Sequence, residues 1–259
     1  MRDNAKKEVR RLRVKKSFYD FNFTDDKNNF VDLYMYGDIT SDKWSEYDVD
    51  FQTFKDAIDS ISDGGTLNIY QNCYGGECFL ASSIIALMNR AKERGITINS
   101  YIDSLSASAS SWISCASDNL YIYSQSIMML HKPLTFTFGN AIDLAKEIEL
   151  LDKMENDVMI PIYMNKAREG ITEDDIKELV NKESWLSASE IQKYFKCELI
   201  EANNLKVASV NNKYQNVYKN IPSELLEKHE DKARLQDEER LKVLNKKIEL
   251  LKSEIDLLK

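Results

Sequence analysis

Apolar and polar positions alternate over residues 30–39, F-V-D-L-Y-M-Y-G-D-I, with Val31, Leu33 and Met35 on one side. That period predicts a strand, and Gly37-Asp38 then marks a turn. From Asp50 the apolar residues fall at Phe51, Phe54, Ile58 and Ile61, which is helical spacing, with Gly64-Gly65 as the stop. Thr66–Tyr70 reads as the next strand. After Gly75-Gly76 a long helix is predicted, with Leu80, Ile84, Leu87, Met88 and Ala91 on one stripe and Arg94-Gly95 at its end. Ile96–Ile102 is predicted as a strand and Ser108–Ala116 as a helix of small residues. Leu120–Tyr123 and Ile127–Leu130 follow as strands. The resulting order β-α-β-α-β-α-β predicts an α/β fold, a parallel sheet with helices on both faces.

Farther along, residues 140 to about 169 predict one long helix with Leu144, Ile148, Leu151 and Val158 on one face, kinked at Pro161. T-E-D-D at 172–175 and S-A-S-E at 187–190 read as capping boxes opening two more helices. The character of the chain changes after about residue 212. From Leu241 the apolar residues step by 3 and 4, with Leu241, Ile248 and Ile255 at heptad a and Leu244, Leu251 and Leu258 at d. β-Branched a with Leu at d favours two-stranded pairing. The expectation is a C-terminal coiled-coil helix that pairs with itself or a partner; packing of that helix on its own protein stays open. Three regions follow: a basic arm over 1–19, one α/β domain over 20–212 and a helical tail over 213–259.

Composition narrows the function classes. The chain has 259 residues, 30% of them charged, and a net charge of −8, which argues against general nucleic-acid binding. Residues 1–16 nevertheless carry eight Lys/Arg against Asp3 and Glu8, an arm that could touch nucleic acid or an acidic partner, or lie solvated. Cys73, Cys78, Cys115 and Cys197 show no framework spacing, and no Cys/His set completes a zinc site. They are expected as reduced thiols, with no metal and no cofactor. No stretch reaches the ~18–20 apolar residues of a membrane span. The charged start lacks the apolar segment of a signal peptide, so no membrane partner is expected.

Candidate chemistry concentrates between Ser104 and Pro133. Of two histidines, His229 sits in the charged run E-K-H-E-D-K. His131 closes the apolar I-M-M-L and is the one serious candidate for a general base, although a histidine on an apolar edge is often structural. The stretch S-L-S-A-S-A-S-S-W-I-S is read as a small-residue turn opening a helix. Its serines have a bland reading as caps and tight packing. Ser108, between Ala107 and Ala109, stands where a helix N-terminus supplies free N–H groups for an oxyanion. Upstream, Gly75-Gly76 permits unusual backbone angles where a strand turns into a helix, although a glycine pair also marks any tight turn.

Four segments in this order, N-C-Y-G-G-E (72–77), S-A-S-A-S-S-W-I-S-C-A-S (106–117), M-M-L-H-K-P (128–133) and S-W-L-S-A-S-E-I (184–191), resemble the Clp protease proteolytic subunit family. The resemblance is closer to its phage branch, the Clp-like prohead (head maturation) proteases. There the motifs usually read N-S-P-G-G, A-A-S-A-A-S, M-I-H-N-P and T-W-L-T-A-E-E-A. Y-M-Y-G-D-I with Trp44, and F-G-N-A-I-D-L after the histidine, are similar to phage members too. The resemblance covers roughly residues 30–200. It implies a Clp protease/crotonase-like fold of stacked βαβ units, with Ser108 as nucleophile, His131 as general base and Glu183, in K-E-S-W-L-S-A, as the third triad member. A glutamate reaches farther than the usual aspartate, and a solvated carboxylate is its bland reading. The oxyanion hole would be the backbone N–H groups of Gly76 and Ala109. Tyr74 stands where the pattern has proline, and Cys73 where it has serine. Proline would pre-set the turn; tyrosine leaves it freer, and a latent or inactive enzyme stays open.

The implied reaction is peptide hydrolysis through an acyl-enzyme. An extended substrate would add as a strand after Gly76. Leu134–Gly139 and the helix after it would be the protruding handle that joins rings. The implied partners are further copies in a ring-like homo-oligomer, with phage scaffold and capsid proteins as substrates. The implied location is an assembling prohead in the host cytoplasm, or a bacterial cytoplasm. Three other readings stand beside it: a degenerate Clp-like assembly protein, a crotonase-type acyl-CoA enzyme and, less well matched, a membrane peptidase with a Ser/Lys dyad.

Overall fold

The structure, a computed structural model, describes residues 29–201 and 217–225. The basic arm, His229 and the heptad seam lie outside the described residues. By their contacts, Tyr218–Asn220 form one unit with residues 29–201, while Val217 and 221–225 belong to a second, where Ser223–Leu225 make a short 3-10 turn.

Seven strands form one sheet: β1 (Phe30–Met35), β2 (Thr66–Cys73), β3 (Thr97–Ala107), β4 (Asn119–Tyr123), β5 (Ile127–Leu130), β6 (Ser184–Ser187) and β7 (Glu198–Ile200). The order β1-β2-β3-β4-β7 is parallel throughout. Strand β3 serves two neighbours: Asn99–Ile102 pair with β4, and Leu105–Ala107 pair with β5. Between β2 and β3 the register runs from Gln71↔Ile102 to Cys73↔Ser106, two residues against four. That bulge bends the end of β3 away from β4 and toward β5. Strand β6 then pairs antiparallel with β5.

The helices are α1 (Phe51–Asp59), α2 (Cys78–Glu93), α3 (Ala109–Ala116), α4 (Ala141–Lys153), α5 (Ile160–Lys166), α6 (Glu173–Asn181) and α7 (Ala188–Tyr194). Asp50 caps α1, and the boxes Thr172/Asp175 and Ser187/Glu190 cap α6 and α7 as their sequences predict. Helix α1 ends at Asp59 with Ser60 as its C-cap, short of the two glycines expected to stop it. The expected long helix is divided. A π-helical turn, Met154–Met159, separates α4 from α5, and the helix ends at Lys166. Pro161 has no N–H to give to a carbonyl one turn back, so the ladder slips just before it.

Helices on both faces of the sheet are not what forms. Strands β1 and β2 alternate buried and partly exposed positions along their length. Leu33, Met35, Leu67, Ile69, Ile98 and Ile122 point into the core with Phe54, Ile84 and Trp112. The opposite face carries a row of tyrosines, Tyr34, Tyr70, Tyr101 and Tyr121, stacked at 4.9, 4.9 and 4.6 Å between ring centres. Beside it runs a ladder from Asn119 through Asn99 and Asn68 to Asp32. Tyrosine and asparagine tolerate partial hydration, so this face needs no helical cover. Helix α4 buries no residue; Phe136 and Phe138 before it are 95% and 90% exposed.

Candidate active site

Strand register assembles the site. Ala107 pairs with Met129, and Leu130 pairs with Ser184. The next residues out of these three adjacent strand ends are Ser108, His131 and, on the antiparallel strand, Glu183. A strand–turn–helix junction sets the serine apart. Ser108 lies at φ 53, ψ −128, one of two non-glycine residues with positive φ among those described; the other is Glu183. Such a conformation costs about 1–3 kcal/mol and persists only where its surroundings impose it. Here the Ser108 N–H donates to Met129 O at 2.9 Å, and the Ser108 carbonyl accepts from the Ser111 N–H and from Ser111 Oγ at 2.6 Å. Since Ser111 Oγ gives its proton there, Tyr163 OH, fully buried on α5, donates to it at 2.7 Å.

The sharp turn exposes Ser108 Oγ to His131 Nε2 at 2.7 Å. Among the described residues no other hydroxyl meets an imidazole. The neighbouring serines follow the bland reading. Ser106, Ser110 and Ser114 join buried Gln71 in one network, and Ser117 Oγ bonds the carbonyls of Ser114 and Asn119. Ser104–Ala107, expected as a turn, is the end of β3. Burial holds the His131 pKa below its usual value, against a smaller upward pull from the Glu183 charge. A neutral imidazole accepting from Ser108 at Nε2 carries its own hydrogen on Nδ1.

Glu183 lies near enough for its charge to reach the ring, but no hydrogen bond or ion pair joins it to His131 among the described residues. Its Oε1 accepts instead from the N–H groups of Lys219 and Asn220 at 2.6 and 2.7 Å. Asn220 Nδ2 also donates to Lys182 O at 2.8 Å. Tyr218, 6% exposed, sets its ring edge-on to His131, with centroids 5.5 Å apart, and also packs on Trp185. Its hydroxyl donates to Tyr74 O at 2.5 Å. No local pattern in the sequence flags Tyr218, which reaches a loop 144 residues away.

The glycine pair is packed against the serine turn. A Cβ on Gly75 would stand 2.7 Å from both Ala107 O and Ser108 Cβ; one on Gly76 would stand 2.0 Å from Ile39 O. Ile39 clamps the loop on both sides, its N–H to Gly75 O and its carbonyl from Glu77 N–H. Ala109 opens α3, so its N–H has no acceptor within the helix. The Gly76 N–H donates to no other described residue. Cys73 is buried beneath this loop, its thiol pushed up to about 12 by desolvation, so it is no thiolate nucleophile. Beside the loop opens a cleft of ≈ 270 Å³ between Gly76–Phe79 and Pro133–Thr135, floored by Leu150, Leu151 and Met154.

The family model for Clp protease matches residues 55–195, more than half of the chain. The chain belongs to the Clp protease family. The match spans both glycines, Ser108, His131 and Glu183, and the α/β fold with its parallel sheet is that of this family. Clp-family membership points to serine peptidase chemistry, and members typically form ring-like oligomers. No curated protein matches the chain. No helix among the described residues is long and apolar enough to cross a membrane.

Proposed function

We propose that this Clp-family chain is a serine endopeptidase in which Ser108 attacks the peptide carbonyl and His131 is the general base. The 2.7 Å contact between Ser108 Oγ and His131 Nε2, at a strained strand-to-helix turn, carries this reading. His131 takes the hydroxyl proton as Oγ bonds to the carbonyl carbon. It then returns that proton to the leaving amine as the C–N bond breaks. Water, deprotonated by the same imidazole, hydrolyses the acyl-enzyme and frees Ser108. The N–H groups of Gly76 and Ala109 are the oxyanion donors in this scheme. An extended substrate lies as a strand between Gly76–Phe79 and Pro133–Thr135. It lowers an apolar side chain toward Leu150, Leu151 and Met154.

The finer reading is a phage prohead maturation protease working as a ring on scaffold and capsid proteins. Its support is the branch-like wording of the four motifs and the exposed apolar handle around Phe136, Phe138, Ile142 and Ile148. One observation favours a latent form as the second reading: the Glu183 carboxylate is engaged by Lys219 and Asn220 rather than by His131. A fluorophosphonate probe on wild type and Ser108→Ala tests the chemistry. The reading expects a covalent adduct on Ser108 in wild type alone. Labelling that survives Ser108→Ala, or no labelling of an assembled wild type, would overturn it. Co-expression with the cognate scaffold tests the prohead role, the expected result being cleavage that Ser108→Ala abolishes.

A further inference from the structure

Residues 218–220 lie beyond every motif of the catalytic domain, yet they touch His131, Glu183 and the loop before the glycine pair. The Tyr218 ring packs T-shaped against the His131 ring, its hydroxyl holds the carbonyl of Tyr74, and the next two N–H groups hold Glu183. These contacts group with the catalytic unit and not with the residues on either side of them. Tyr74 is where the family pattern places proline, so the turn into the glycine pair lacks a built-in stiffener. The Tyr218 hydroxyl supplies one from outside, bonded to the residue directly before Gly75. Trp185, from β6, also packs on the Tyr218 ring, with centroids 5.5 Å apart, and helps keep it in place.

We propose that Tyr218 is a positioning residue of the active site, whose ring orients and dries His131 and whose hydroxyl pins the oxyanion loop through the Tyr74 carbonyl. The inference rests on the peptidase reading above. Among the described residues, three groups act on the His131 ring: Ser108 Oγ by a hydrogen bond, Glu183 by its charge and Tyr218 by ring packing. Lys132, next in the chain, is drawn off to Glu155 at 2.9 Å. Tyr218, buried and packed on the imidazole, is one of the groups that keep water from it, and burial is the larger influence on its protonation. The two functions of Tyr218 separate by substitution. Tyr218→Phe keeps the ring and loses the bond to Tyr74; Tyr218→Ala loses both.

The experiment uses the full chain and two readouts. Histidine NMR titration is simple here, because the sequence holds two histidines and His131→Ala assigns them. Tyr218→Ala should move the His131 titration to higher pH by about half a unit or more, since hydration favours the charged ring; Tyr218→Phe should leave it in place. Fluorophosphonate labelling of Ser108 and ester hydrolysis give the second readout. Tyr218→Phe should lower kcat about threefold to tenfold with KM little changed, the range of one lost hydrogen bond. A merely structural tyrosine would lower Tm and move neither readout. An unshifted titration in folded Tyr218→Ala, or wild-type or faster labelling of Tyr218→Phe, would overturn the proposal. Should Tyr218→Ala fail to fold, Tyr218→Phe alone decides. A wild type that no probe labels would sink the peptidase reading, while the titration would still decide whether Tyr218 sets the environment of His131.

Discussion

In the proposed mechanism Ser108 and His131 act on one proton, so their losses should not multiply. Ser108→Ala and His131→Ala are each expected to cut kcat about 10⁴-fold or more, with the double variant no worse than either. Ester kinetics on the three variants checks this; multiplied losses would mean independent roles. The pH dependence follows from the buried imidazole. Its folded pKa is lowered, so the base is neutral and active above that value and is lost as pH falls through it. The acidic limb of kcat/KM should lie below the ordinary imidazole value of 6.5. Glu183→Gln removes the one charge among the described residues that raises this pKa, so the limb should move lower still, with a milder loss on the plateau. A limb that rises in Glu183→Gln would show that another group acts on the ring. At this scale much was legible beforehand. Ser108 was singled out by its small neighbours, and His131 by its place at the end of an apolar strand. The strained φ of Ser108 and the lock through Ser111 and Tyr163 were not, because they arise from contacts between elements far apart in the chain.

Elements explain why the glycine pair has no substitute. Gly75 is pressed onto the serine turn and Gly76 onto Ile39, and both have positive φ. Gly76→Ala would force a methyl to within 2.0 Å of a backbone oxygen, so the loop itself must move. The expected result is a stability loss of at least about 1 kcal/mol, since alanine also resists this φ. If the Gly76 N–H is an oxyanion donor as proposed, a fall in kcat larger than the rise in KM should accompany it. Denaturant melts with ester kinetics read both; an unaffected kcat would remove Gly76 from the oxyanion hole. The periodic strands and helices were legible in the pattern of Val31, Leu33 and Met35 and in the capping boxes. Strand β3 ran five residues past its expected end, because Asp103–Ala107 are mostly small and polar and carry a weak period. Helices on both faces were overread. The order of strands and helices assigns no face to Tyr70 and Tyr101, which form the wet half of an alternation. Strand β6 was hidden inside the W-L-S-A motif, and with it the pairing that carries Glu183 toward His131.

At the scale of the whole molecule the question is where the catalytic unit ends. Sequence pattern placed the boundary at 212, before the helical tail, whereas the contacts of Tyr218–Asn220 reach into the site. Two truncations therefore differ in what they remove. Loss of 226–259 takes away the heptad seam and leaves the contacts to Tyr74 and Glu183. Loss of 213–259 takes both. The first should keep ester hydrolysis near the wild-type level while lowering cleavage of a cognate scaffold or coat protein, because the seam is the part of the chain suited to docking or pairing. The second should lower both activities. Leu251→Asp in the full chain provides the control that deletes nothing. A charge at a d position cannot be buried without a partner, so this variant should mimic the shorter truncation in sedimentation and in both assays. If Leu251→Asp instead abolished ester hydrolysis along with partner cleavage, the seam would have to pack on the catalytic unit itself. The tail would then be a part of the enzyme's core rather than its means of docking.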